Sequence, residues 1–137
     1  MSYLIDTNLL SEVVRPKPDA RVLEWLDGVA DSALHLSVLT VGEIRSGVER
    51  LKTGARRERL RLWLEHDLPA WFEDRLLPVD AAVADRWGRL SAAARRPLPA
   101  IDSLLAATAL VHGLRLVTRN TRHFAVPGLE LLNPWDR

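Results

Sequence analysis

An α/β fold, with a small parallel sheet of about four to five strands flanked by helices, is predicted by two features of the sequence. Short apolar runs alternate with longer segments of helical periodicity, the pattern that βα units produce. Each run is bounded by polar turn formers, as buried strands are; Tyr3, Leu4 and Ile5, followed at once by Asp6, Thr7 and Asn8, are the clearest case.

Tyr3–Ile5 is the first strand predicted. Leu9 to Val13 then reads as a helix that Asp6 or Thr7 caps. Pro16 and Pro18 break the chain, and Asp19 caps a helix with Val22, Leu23, Trp25 and Leu26 on one face. Residues 33–38 form the second strand and residues 40–51 the helix after it. One further helix is expected over 57–71, up to the Pro69 region, and another over 81–95, ended by Pro97. A small-residue helix starts at about Ala100 and stops at Gly113, a good C-terminal residue. The third strand is 114–118, and a short edge strand follows at 129–132. No repeat, low-complexity tract or long linker divides the chain, so 1–137 reads as a single domain.

Composition narrows the function classes. At 137 residues the chain can bury one proper core without staples. It has no cysteine, which excludes disulfides, thiolate metal sites and thiol nucleophiles. Any metal must use oxygen or imidazole ligands. Hydrophobic residues at 47%, charged residues at 27% and a net charge of +1 describe an ordinary globular protein and neither demand nor exclude a nucleic-acid partner. With no basic leader before an apolar stretch and no run of eighteen apolar residues, the chain reads as soluble and cytoplasmic, with no membrane partner.

Three carboxylates carry the chemical argument. Asp6 ends a strand, at the edge where open α/β sheets keep their ligands; taken alone it reads better as a helix cap or Asx turn. Glu43 follows the second strand in Thr40-Val41-Gly42-Glu43, which has the spacing of a capping box. A helix that starts after a parallel strand nevertheless starts at the same sheet edge as Asp6. Asp102 lies in the first turn of the helix that feeds the third strand, where the helix dipole alone would explain an acid. That helix runs antiparallel to its strand, so its start also lies above the strands' carboxyl ends.

Topology thus brings three acids to one edge, where they are costly to keep ionised unless a cation sits between them. A hard divalent ion, magnesium or manganese, suits such an oxygen-rich site. The segment after the third strand adds Thr118, Arg119 and Asn120, and Arg119 and Arg122 could hold an anion beside the metal. Acids, cation and basic groups together point to phosphodiester hydrolysis.

Other chemistries lack their residues. A second Asp two positions after Asp6, as a haloacid-dehalogenase-type phosphatase needs, is replaced by Asn8. Ser37 and Ser46 lie in no nucleophile elbow, and no Gly-rich phosphate loop occurs. The histidines His35, His66, His112 and His123 show no paired metal spacing. The tryptophans read as packing residues, and Arg56, Arg57, Arg59 and Arg61 as a solvated helix face.

The chain resembles PIN-domain ribonucleases of the VapC type, in their FitB-like branch of toxins. The stretches that carry the likeness are Tyr3-Leu4-Ile5-Asp6-Thr7-Asn8, Leu36-Ser37-Val38-Leu39-Thr40-Val41-Gly42-Glu43-Ile44, Asp102-Ser103-Leu104-Leu105-Ala106-Ala107-Thr108-Ala109, Val117-Thr118-Arg119-Asn120-Thr121-Arg122-His123-Phe124 and Asn133-Pro134-Trp135. The resemblance implies a three-layer PIN fold and an Mg2+-dependent endoribonuclease, the toxin of a type II toxin–antitoxin system. It implies Asp6, Glu43 and Asp102 as catalytic residues, with Thr7, Asn8, Thr118, Arg119 and Asn120 as secondary contacts. It also implies an RNA substrate, a homodimer, a cognate antitoxin protein, and operator DNA bound only through the antitoxin. Many relatives carry a further acid where this chain has Asn120 or His123. One ion held by Asp6 and Asp102 is therefore expected, with Glu43 ligating through water or orienting the nucleophile. The alternative is a PIN-like binding module with weak or no catalysis, gripping a basic partner segment in its acidic groove.

Overall fold

Leu4 and Ile5 project from opposite faces of the first strand, and neither is exposed to solvent. Successive strand residues alternate between faces, so this pair reports a sheet covered on both sides. Leu4 packs with Leu105, Ala106, Ala109, Leu116 and Phe124. Ile5 packs with Leu9, Leu10, Val22, Leu34, Phe72 and Val117. Each fully buried side chain of this kind contributes about 1.5–3 kcal/mol. The result is the helix–sheet–helix layering expected from the sequence.

The computed structural model describes residues 1–136. In chain order the elements are β1 (Tyr3–Ile5), α1 (Thr7–Val13), α2 (Ala20–Asp27), β2 (Leu34–Ser37), α3 (Val38–Arg50), α4 (Ala55–Leu62), α5 (Leu68–Phe72), β3 (Leu76–Leu77), α6 (Ala81–Ala93), α7 (Ala100–His112), β4 (Arg115–Val117) and β5 (Leu131–Leu132). The five strands are ordered β3-β2-β1-β4-β5. All pairings are parallel, with Tyr3 opposite Leu34 and Ile5 opposite Val117. The chain leaves β1 toward β2 on one side and later returns to β4 on the other. The gap between the carboxyl ends of β1 and β4 is therefore the switch point where such sheets bind ligands. Among the described residues, no helix is long and apolar enough to cross a membrane.

Several sequence expectations need correction. Helix α3 begins at Val38, because Ser37 caps it by accepting from the Leu39 amide at 3.1 Å. Thr40 and Glu43 form no capping box; Thr40 is a fully buried helix-interior residue. The single helix expected over 57–71 is α4, a π-helical turn at Trp63–Asp67, and α5. Pro69 accounts for the break, since its ring clashes with the carbonyl four residues back in a regular α-helix. The wider turn instead lets the Leu68 amide reach the Trp63 carbonyl. Strand β3 was not anticipated; two residues show no periodicity. Strands β4 and β5 are shorter than 114–118 and 129–132.

Helix α7 stops where Gly113 takes the left-handed conformation at φ 65°. Its buried face is built from Ser103, Leu105, Ala106, Ala107, Thr108 and Ala109, small residues that let it lie close to the sheet. Ser103 also ties α7 to α6, since its hydroxyl accepts from the Trp87 indole at 2.9 Å and faces the Pro99 carbonyl at 2.7 Å. That fastening sits one residue from Asp102.

Candidate active site

Asp6 follows β1 directly, and its amide donates to the Val117 carbonyl at 3.0 Å, continuing the β1–β4 ladder by one bond. It is also the N-cap of α1, as the capping reading expects. One carboxylate oxygen accepts from the Thr7 amide at 2.8 Å. The other accepts from the Thr118 hydroxyl at 2.7 Å. Thr118, buried at the end of β4, accepts in turn from the Asn120 amide at 3.1 Å and from Asn8 Nδ2 at 3.4 Å. One hydroxyl thus orients Asp6, the turn after β4 and Asn8.

Glu43 stands on α3 at the same edge, exposed, with Oε1 accepting from the Thr7 hydroxyl at 2.7 Å. That bond uses one carboxylate oxygen and leaves the other directed by it. Asp102, in the first turn of α7, is half-buried, with His123 Nδ1 3.6 Å from its Oδ2, too far for a hydrogen bond. Asp6, Glu43 and Asp102 line one cleft of about 380 Å³, together with Thr7, Asn8, Arg119 and Asn120. Thr118 lies beneath it.

Electrostatics link the acids. Burial pushes the Asp6 carboxyl above the ordinary carboxylate range; the hydrogen bonds from Thr118 and Thr7 oppose this, and the charges of Glu43 and Asp102 add to it. The two neighbouring charges thus reach Asp6 across the cleft. Every donor the three acids offer is a hard oxygen, the chemistry that magnesium-like ions prefer. Among the described residues, no three acidic or histidine side chains close around a point by themselves. The donor set fits an ion that keeps part of its water shell.

The cleft also has Ser11, Glu12 and Arg15, for which the sequence suggested no role, and Trp135, which it suggested as a packing residue and which is indeed buried. Glu12 is buried, and it accepts from the Trp135 indole, the Asp19 amide and Arg15. The available signal was its spacing, since Glu12 falls three residues after Leu9 on the apolar side of α1. Arg57 and Arg61, read as solvated charge, are paired with Glu49 and with Glu58 and Glu65.

Comparison with known proteins agrees with this architecture. The PIN domain family model matches residues 3–129. The plasmid stability protein StbB of Pseudomonas syringae is 38% identical, covering 97% of this chain and 98% of its own. Toxin FitB of Neisseria gonorrhoeae is 37% identical over 96% of this chain and 97% of its own. The VapC ribonuclease Y4jK of Sinorhizobium fredii is 35% identical over 97% of both chains. Among solved structures, gonococcal FitAcB matches with a TM-score of 0.92 at 36% identity, covering 98% of this chain and 99% of that one. FitAB bound to the IR36 DNA fragment matches with a TM-score of 0.89 at 34% identity, over 97% and 95%. With a switch-point cleft, a five-stranded parallel sheet and relatives matched along nearly their full length, this chain belongs to the PIN-domain family, in the group of the FitB and VapC proteins.

Proposed function

We propose that the chain is an Mg2+-dependent endoribonuclease, the toxin of a type II toxin–antitoxin system, with Asp6, Glu43 and Asp102 as its reactive carboxylates. One observation carries the reading: Asp6 is buried and doubly hydrogen-bonded, and its pKa is raised first by that burial and further by the charges of two more acids in the same cleft. Such crowding costs stability in the absence of a cation. The names of the relatives, toxin and ribonuclease, support the substrate class and the role. That FitAB was solved bound to a DNA fragment supports a protein partner and indirect binding of operator DNA. A homodimer belongs to the same proposal.

Asp6 and Asp102 would hold the ion. Bound there, a divalent cation supplies Lewis acidity and neutralises charge developing on the phosphate. Thr118 and the Thr7 amide fix the Asp6 carboxylate in one orientation. Glu43 has one oxygen occupied by the Thr7 hydroxyl, so the other is positioned to accept a proton from an attacking water. Asn120 adds an amide and no charge, which favours one ion over two.

Expression of the protein in a bacterial host tests the reading. Growth arrest by the wild type and normal growth with Asp102→Asn are expected, whereas equal arrest by both would contradict it.

A further inference from the structure

One wall of the cleft has no part in the chemistry assigned to the acids. Glu12 is only 4% exposed, and three donors converge on its carboxylate. Oε1 accepts from Trp135 Nε1 at 3.3 Å and from Arg15 Nη1 at 3.2 Å, and Oε2 accepts from the Asp19 amide at 3.1 Å. A buried carboxylate is costly without such partners. Here they fix the Trp135 ring, which is itself 4% exposed.

Over that ring lies the guanidinium of Arg119, its carbon 5.5 Å from the ring centroid. The Arg119 backbone is held as well: its amide donates to Asn8 Oδ1 at 3.5 Å, and its carbonyl accepts from Asn133 Nδ2 at 3.4 Å. The side chain is exposed and lines the acidic cleft. The guanidinium therefore shares the cleft with Asp6, Glu43 and Asp102 while resting on its far wall, the Trp135 ring. A free arginine has roughly 2 kcal/mol of rotamer entropy to lose on binding an anion. Seating it on a fixed ring removes part of that cost beforehand.

We propose that Arg119, seated on the Trp135 ring that Glu12 fixes, grips a backbone phosphate of the RNA strand next to the scissile one. Trp135 and Glu12 are positioning residues in this arrangement. The proposal rests on the reading of RNA as substrate and can fail independently of it.

The test is fluorescence anisotropy with a short fluorescein-labelled single-stranded RNA, titrated in EDTA over a range of salt concentrations so that binding is measured without cleavage. Arg119→Ala is expected to raise Kd about tenfold. It should also lower the salt slope by roughly 0.7, the value for one lost phosphate contact on a single strand. Trp135→Phe keeps an aromatic ring but a smaller one, and removes the N–H donor to Glu12. It should weaken binding about threefold in the wild type and have no effect in the Arg119→Ala background, a coupling that general loosening of the fold does not produce. Undetectable binding by the wild type, an Arg119→Ala curve superimposed on the wild type, or equal effects of Trp135→Phe in both backgrounds would each overturn the proposal. Cleavage after addition of magnesium reports separately on the ribonuclease reading. Binding through Arg119 without any cleavage would sink that reading and, with it, the placement beside a scissile phosphate, whereas cleavage with no Arg119 effect on binding would overturn this proposal alone.

Discussion

The Thr118 hydroxyl donates to the Asp6 carboxylate at 2.7 Å, joining residues 112 positions apart across the ends of β4 and β1. Because the same oxygen accepts from Asn8 and Asn120, its proton is committed to Asp6. Thr118→Val preserves shape and deletes the hub, leaving a buried carboxylate oxygen without its donor and two N–H groups without their acceptor. A loss of about 1–3 kcal/mol is expected, together with a roughly 10–100-fold drop in activity through misdirection of Asp6. Thermal unfolding and cleavage kinetics check the two effects.

The raised pKa of Asp6 gives stability a defined pH dependence. Its folded-state pKa lies above the ordinary value, so between the two the native state binds more protons than the unfolded one. Stability from this group is therefore present at low pH and lost as pH rises through the folded pKa. In EDTA, the Tm of Asp6→Asn relative to wild type should increase from about pH 4 to pH 7. Magnesium should raise the wild-type Tm at the upper end and not at the lower, since the ion binds the ionised carboxylate. A Tm difference that does not change with pH would contradict the assignment.

With Asn120 bringing no charge to the cleft, the proposed site holds one ion. Titration calorimetry should give one tight magnesium site, absent in Asp6→Asn and weakened in Asp102→Asn. Two tight sites would overturn the single-ion account.

Glu43 is exposed, and among the described residues its side chain is held in the cleft by the hydrogen bond from Thr7. Glu43→Gln should therefore leave Tm within about 1–2 °C of wild type. Its kcat should fall by roughly 10²–10⁴, the range for loss of a general base. A large fall in Tm with little change in kcat would instead assign Glu43 to the fold.

What could be read from the sequence followed from local pattern plus topology. Asp6, Glu43 and Asp102 each sit just past a strand or at the first turns of a helix, and parallel connections put those positions at one edge. Local rules failed where distant contacts decide. Thr40-Val41-Gly42-Glu43 has capping-box spacing, yet Ser37 caps the helix and Glu43 pairs with Thr7. Glu12 looks like an ordinary helix acid until Trp135, 123 positions away, arrives beside it. Strand β3 is visible only through its pairing of Leu76 with Leu36.

Gly113 ends α7 with φ 65°, and no neighbouring atom would meet a Cβ there. Gly113→Ala should cost about 1 kcal/mol from backbone strain alone. Because Asp102 lies at the opposite end of α7, activity at a temperature well below Tm should be unchanged. Unfolding and cleavage measured on one preparation check both.

In the proposed reaction, the carboxylates at the β1–β4 switch point cleave RNA with the help of a divalent ion. The most direct measurement is cleavage of structured RNA by purified wild type and Asp6→Asn, each with magnesium and with EDTA. Cleavage by wild type in magnesium, abolished by EDTA and by Asp6→Asn, is the predicted result. Equal cleavage by the two proteins, or wild-type activity undiminished in EDTA, would contradict it.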